Sequence, residues 1–215
     1  MSIEKNLTDY RRDYESTPLL REDVDSDPFE QFSIWLQTAI DSEVLDANSM
    51  MLATAGCDGQ PSARIVLLKK VDESGFTWYT DSRSEKGQNL AENPRASLLF
   101  HWRDFNRQVR VRGIVEKLSA EQADSYFQSR PEGSRFSAAS SHQSSQVKDR
   151  KQLEAAVETL RATWPEGNVP RPEAWIGYCL KPEYFEFWQG QSNRLHDRIT
   201  YEKQDGQWQL GRLSP

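Results

Sequence analysis

Cysteine is scarce in this chain, with only Cys57 and Cys179 among 215 residues. Two such residues form neither a zinc-binding spacing nor a disulfide framework, and a chain of this length buries a core without either. They fit a reducing compartment. His101, His142 and His196 are too scattered to suggest a metal site. No apolar run reaches the 18 residues that point to a membrane span, and the start, Met-Ser-Ile-Glu-Lys-Asn, lacks a signal-peptide core. The expectation is a cytoplasmic protein. G-x-G-x-x-G, Walker-type, H-E-x-x-H and G-x-S-x-G motifs are all missing, so side chains must hold any phosphorylated ligand. Positive charge is also in deficit. A formal net charge of -6 argues against nucleic acid or an anionic membrane as the main partner.

Aromatic residues are plentiful: seven Trp, seven Tyr and nine Phe suggest a core with aromatic-lined pockets. Residues 1–26 form a polar arm carrying Arg11, Arg12 and Tyr14, either a disordered tail or a segment folded over a ligand. Asp27, Pro28 and Glu30 open a helix whose core face is Phe29, Phe32, Leu36 and Ile40. Short apolar runs then alternate with turns. Strands are expected at Met50–Ala55 and Pro61–Val71 around Asp58-Gly59, at Phe76–Thr80, and at Arg95–Trp102 with Gln108–Leu118. Ser84–Glu92 reads as a short helix. The Ser119/Gln122 capping box opens another through Ser129, Gly133–Val147 reads as a loop, and Asp149–Thr163 as a helix with Leu153, Val157 and Leu160 inside. Strands Trp175–Leu180, Tyr184–Trp188, Arg194–Glu202 and Trp208–Leu213 end the chain, with Pro182 and Asp205-Gly206 as breaks. Hairpin connections without strand–helix alternation indicate a mainly β class: an antiparallel split barrel with peripheral helices, one domain over 27–215.

The most suggestive stretch is Phe185–Arg198. If its second half is extended, Arg194, His196 and Arg198 project from one face, about 6.5–7 Å apart. Such a face suits a solvated edge strand neutralised by Asp197, or an anionic planar ligand against which Trp188 could stack. Arg64 and Lys69 bracket an apolar run and face opposite ways unless a bend intervenes. Lys86 lies in a first helical turn, where the helix dipole favours an anion, or it is an ordinary solvated lysine. Tyr126 and Arg130 share a helix face and Ser134 follows in the turn, a plausible phosphate cup or a helix-end arginine facing its own dipole. Gln108 and Gln143 are candidates to hydrogen-bond a heterocycle.

Taken together, Arg64-Ile-Val-Leu-Leu-Lys69, Tyr79-Thr80, Arg107-Gln108-Val109, Tyr126–Pro131, Gln143-Ser144-Ser145 and Phe187-Trp188-Gln-Gly through Arg198 resemble the pyridoxine (pyridoxamine) 5′-phosphate oxidase family from about Arg11 to Pro215. The resemblance implies a split-barrel homodimer with FMN at the subunit interface. It implies FMN contacts from Arg64, Ile65, Val66, Leu67, Leu68, Lys69, Tyr79, Thr80, Ser84, Lys86, Gln108, Gln143 and Ser144, with Trp188 and Arg198 supplied by the partner subunit. Lys69, Tyr126, Arg130 and Ser134 are implied to hold the substrate phosphate. Arg194 and His196 cover the pyridine ring as the catalytic pair, and Arg11, Arg12 and Tyr14 match the arm that closes over it. The implied reaction is oxidation of pyridoxamine or pyridoxine 5′-phosphate by O2 to pyridoxal 5′-phosphate, with release of H2O2.

The chain departs from the family in having Ser84-Glu85-Lys86 where Ser-Arg-Lys is usual. A carboxylate thus stands in place of a guanidinium on the FMN phosphate, with Arg83 as a candidate substitute. A carrier of FMN or pyridoxal phosphate without turnover is the competing class, distinguished by whether peroxide is released.

Overall fold

The computed structural model describes residues 6–9 and 12–215, so Arg11 lies outside the described residues. Among the described residues the strands are β1 Ser49–Ala55, β2 Pro61–Leu67, β3 Lys70–Asp72, β4 Gly75–Asp81, β5 Arg95–Trp102, β6 Arg107–Lys117, β7 Trp175–Gln189, β8 Asp197–Gln204 and β9 Gln207–Arg212. The helices are α1 Pro28–Asp41, α2 Glu85–Glu92, α3 Ala120–Ser129, α4 Glu132–Ser140 and α5 Arg150–Thr163. The strands run in the order β2-β1-β5-β6-β7-β4-β3, with β8 on β7 and β9 on β8. The pairs β1/β2, β3/β4, β4/β7, β7/β8 and β8/β9 are antiparallel. This is the expected mainly β class. No helix among the described residues is long and apolar enough to cross a membrane. The chain packs as two compact units, one of residues up to Ala47 with Leu99–Arg110 and Tyr184–Pro215, the other Asn48–Leu98 with Val111–Glu183.

In the first unit, Asp27 caps α1 by accepting the Phe29 N–H at 2.8 Å, and Pro28 takes the first turn. The buried face is Pro28, Gln31, Phe32, Trp35 and Ala39. The expected face shares only Phe32 with it, because Trp35 turns inward onto Phe187 at 5.3 Å and leaves Ile40 half exposed, at 49%. The larger aromatic buries more apolar surface, so it sets the rotation of the helix. Asp205 and Gly206, both at positive φ, close the β8–β9 hairpin. In the arm, Leu19 is buried and donates its N–H to Asp197, while Arg12 donates to Asn106 Oδ1 at 2.9 Å.

In the second unit, β1 and β2 pair from Ser49↔Leu67 to Ala55↔Pro61 around Gly59, whose φ of 73° suits the Asp58-Gly59 turn. The strand expected over Pro61–Val71 is two strands, broken at Leu68-Lys69, where Leu68 is buried and the Lys69 N–H bonds Thr77 O. Pro182 does not break β7. Residues 175–180 pair with β4 and 184–189 with β8, so the missing N–H falls between these two ladders. A Cβ on Gly113 would lie 1.9 Å from Lys181 O, so β6 can pass this point of β7 only with glycine. Residues 133–140, expected in a loop, belong to α4 because Phe136 joins Phe127, Val169 and Trp175 in a buried cluster that outweighs weak local propensity. In α5, Val157 and Leu160 pack against that cluster, but Leu153 is 43% exposed rather than inside.

Candidate active site

A cavity of about 540 Å³ lies within the second unit. Five pieces of chain line it: Arg64–Leu67 of β2, Lys69 in the break that follows, Tyr79 and Thr80 at the end of β4, Lys86 in the first turn of α2, and Tyr126, Ser129, Arg130 and Pro131 around the end of α3. Ser134 of α4, Gln143 and Trp175 complete the wall. The bend at Leu68-Lys69 matters here. Strict alternation would send Arg64 and Lys69 to opposite faces, yet both line the one cavity. Among the described residues β2 ends the strand order, and its Ile65–Leu67 stretch lines the cavity.

Arg64 is held by neutral acceptors: Nη1 donates to Thr54 Oγ1 at 2.8 Å and Nη2 to Ser62 Oγ at 2.7 Å. Lys86 Nζ donates to Thr80 Oγ1, Ser84 Oγ and Gln143 Oε1 at 3.2, 3.1 and 3.2 Å. Burial, with Arg64 nearby, pulls the Lys86 pKa below its ordinary value. Two cations share a wall; Glu85 Oε2 is 3.4 Å from Arg64 Nη2, with its side chain 60% exposed, and Asp81 and Glu85 both act on Lys86 in the opposite sense, without offsetting its burial. Arg83 does not substitute at this point. It forms a two-point pair with buried Asp81 at 2.9 and 2.6 Å and also donates to Ser141 O. Burial pushes the Asp81 carboxyl up, but the bonds from Arg83 and the Gln143 N–H outweigh that and leave it below the usual range. The same carboxylate thus ties the loop carrying Gln143 to the end of β4.

Tyr126, Arg130 and Ser134 come together as their spacing suggests. Tyr126 stacks on Tyr79 at 4.1 Å, and Tyr79 on Trp175 at 5.4 Å. The Arg130 guanidinium lies over Trp175 at 4.8 Å. Its Nη1 is buried with no hydrogen-bond partner among the described residues, and burial lowers its pKa. A buried, unpaired guanidinium donor fits an anionic oxygen. The donor set as a whole (the Arg64 and Lys86 cations, an orphaned guanidinium donor and an aromatic shelf) fits a flat heterocycle carrying phosphate, which FMN is.

The remaining candidates stand elsewhere. Leu68 and Ser84 are buried beside the cavity wall rather than lining it, and Ser84 caps α2. Ser144, at φ 67°, accepts the Glu85 N–H. Gln108 is half-buried on β6 in the first unit. That unit also holds Tyr14, Trp188, Arg194, His196 and Arg198. The alternation expected for Arg194, His196 and Arg198 does not occur. Ser192–Arg194 is a short helical turn, with Asn193 and Arg194 at positive φ, and β8 begins only at Asp197. Tyr14 packs edge-on to Trp188 at 5.8 Å and to His196 at 5.4 Å. His196 Nδ1 accepts the Gln191 N–H at 3.1 Å, which puts the proton of the neutral ring on Nε2. Burial and the Arg194 cation lower the His196 pKa against the pull of Asp197. Arg198 is tied to buried Glu186 at 2.9 Å and to Ser214 O. Sequence reasoning missed Trp175 and Glu186, because nothing in spacing separates a wall tryptophan or a buried counterion from ordinary core and surface residues.

An antiparallel sheet of this order with peripheral helices is the split-barrel fold of the FMN-binding type. Residues 36–164 match the model of the pyridoxamine 5′-phosphate oxidase family, and residues 175–215 match that of the pyridoxine 5′-phosphate oxidase C-terminal dimerisation region. The chain belongs to the pyridoxine/pyridoxamine 5′-phosphate oxidase family, whose members are oxidoreductases. It is 50% identical to the pyridoxine/pyridoxamine 5′-phosphate oxidase of Thermosynechococcus vestitus, over 97% of this chain and 99% of that one. The Ralstonia pickettii protein of the same name is 52% identical, over 98% and 99%. Among solved structures, PhzG from Burkholderia lata, in complex with tetrahydrophenazine-1-carboxylic acid, is 33% identical with a TM-score of 0.87, covering 93% of this chain and 99% of that one.

Proposed function

We propose that this chain is an FMN-dependent oxidase that converts pyridoxamine 5′-phosphate and pyridoxine 5′-phosphate to pyridoxal 5′-phosphate. FMN bound here would supply the redox chemistry, a two-electron oxidation of the substrate at C4′ with O2 as the final acceptor, which would yield H2O2 and, from the amine after hydrolysis, ammonia. The observation that carries the reading is the pairing of two cation sites in one cavity: Arg64 with Lys86, and Arg130 with its unpaired Nη1.

In this reading Arg64 and Lys86 hold the cofactor phosphate, helped by Ser84 and Ser144 at the start of α2, while Ile65–Leu68, Tyr79, Thr80, Gln108 and Gln143 serve the rest of FMN. Lys69, Tyr126, Arg130 and Ser134 hold the substrate phosphate. Arg194 and His196 orient the pyridine ring, His196 keeping a proton on Nε2, and Tyr14 and Arg12 close the arm over it. The protein works as a homodimer with FMN at the interface, where Trp188 and Arg198 of one copy meet the flavin held by the other. The family's dimerisation region at residues 175–215 supports this. Residues 27–215 act as one functional domain, and the setting is the cytoplasm, in keeping with two unbridged cysteines. Peroxide release on adding pyridoxamine 5′-phosphate to the FMN-loaded protein tests the reading; FMN bound with no peroxide formed would make the chain a carrier.

A further inference from the structure

Arg130 is held in an unusual way. Arg64, on the same cavity, is fixed by hydrogen bonds to Thr54, Ser62 and backbone carbonyls and by the ion pair with Glu85. The Arg130 guanidinium makes no hydrogen bond or ion pair among the described residues; it lies over the Trp175 ring at 4.8 Å and the Phe127 ring at 5.9 Å. An aromatic face attracts a cation without using any of its five N–H donors and without cancelling its charge. A carboxylate partner would do both. Trp175 is itself well anchored: it is 4% exposed, stacks with Tyr79, meets Phe127 edge-on at 5.1 Å, and its carbonyl accepts from Arg171 at 2.8 Å.

We propose that Trp175 is a positioning residue for the substrate phosphate, its indole face holding the Arg130 guanidinium at the cavity wall with its charge left uncancelled for the anion. The inference rests on the reading that Tyr126, Arg130 and Ser134 take the substrate's phosphate. It adds a residue outside the cup that determines how strongly the phosphate is preferred.

The test uses FMN-loaded wild type, Trp175→Leu and Trp175→Phe, with KM and kcat for pyridoxamine 5′-phosphate and calorimetric binding of inorganic phosphate. Trp175→Leu should raise KM and the phosphate Kd together by about ten-fold, with a smaller change in kcat. Trp175→Phe, which keeps a weaker aromatic face, should lose only about two- to three-fold. In an Arg130→Ala background, Trp175→Leu should have no further effect on phosphate binding, since the indole acts through the guanidinium. Wild-type phosphate affinity in Trp175→Leu would overturn the proposal. So would an equal loss with and without Arg130. Should the leucine variant fail to fold, wild-type phosphate affinity in Trp175→Phe overturns it equally. Absence of turnover in the wild type would defeat the oxidase reading, while the phosphate titration would still decide the role of Trp175.

Discussion

Replacing Glu85 by Gln removes a carboxylate that reaches the Arg64–Lys86 pair while keeping its shape. Glu85 Oε2 is 3.4 Å from Arg64 Nη2, and the two side chains are 60% and 18% exposed. An anion seated on Arg64 would have its charge about 6 Å from that carboxylate. Because Glu85 is mostly solvated, water-like screening applies, and Coulomb's law then gives about 0.7 kcal/mol per pair of unit charges. A phosphate carries about 1.5 to 2 negative charges, so the opposition amounts to about 1–1.4 kcal/mol, or about five- to ten-fold in Kd. Glu85→Gln should therefore tighten FMN binding by that factor in a fluorescence titration at low salt, with the gain shrinking as salt rises. Glu85→Arg should gain more, up to about one to two decades, by adding a charge-assisted hydrogen bond. Riboflavin, which lacks the phosphate, should bind all three proteins alike. Equal or weaker FMN affinity in both variants, or an equal gain for riboflavin, would refute the reasoning.

Other expectations follow from the same geometry. Arg194→Ala and His196→Ala should each lower kcat with FMN still bound; unchanged kinetics would remove that residue from the mechanism. Burial and Arg194 depress the His196 pKa, so the neutral ring should persist below the ordinary value of 6.5. An acid limb in the kcat/KM profile should accordingly lie below that pH and vanish in His196→Gln. The sign for stability is the same: the unfolded chain binds this proton first, so folding weakens as pH falls through 6.5. Gly113→Ala places a Cβ 1.9 Å from Lys181 O, against backbone that cannot swing aside. It should destabilise by about 3 kcal/mol and lower Tm by about 10 °C in a thermal melt; an unchanged Tm would show that β6 and β7 can separate there.

Local signals are legible in the sequence where chemistry acts over a few residues. The Ser119/Gln122 box, the Asp27 cap and the Asp58-Gly59 turn depend on neighbours in the chain, and each is present. Expectation and structure part where a distant partner decides. Pro182 stays inside β7 because its neighbours change ladder partner around it, and α4 forms because Phe136 has a buried cluster to join. The Arg194–Arg198 alternation fails for a local reason, since Asn193 readily takes a positive φ but Arg194, which also adopts one, does not announce it. Arg64, Lys69, Lys86, Tyr126, Arg130 and Ser134 can be named from spacing and resemblance. That they line one cavity depends on the break after Leu67, and Trp175 enters only once the fold is known.

The most direct test mixes oxygen-free, FMN-loaded protein with pyridoxamine 5′-phosphate and follows the yellow flavin absorption. The colour should be lost in proportion to substrate added, with pyridoxal 5′-phosphate formed in equal amount, and should return when O2 is admitted. A flavin-loaded protein that keeps its colour under saturating substrate would contradict the assignment of this cavity to substrate oxidation.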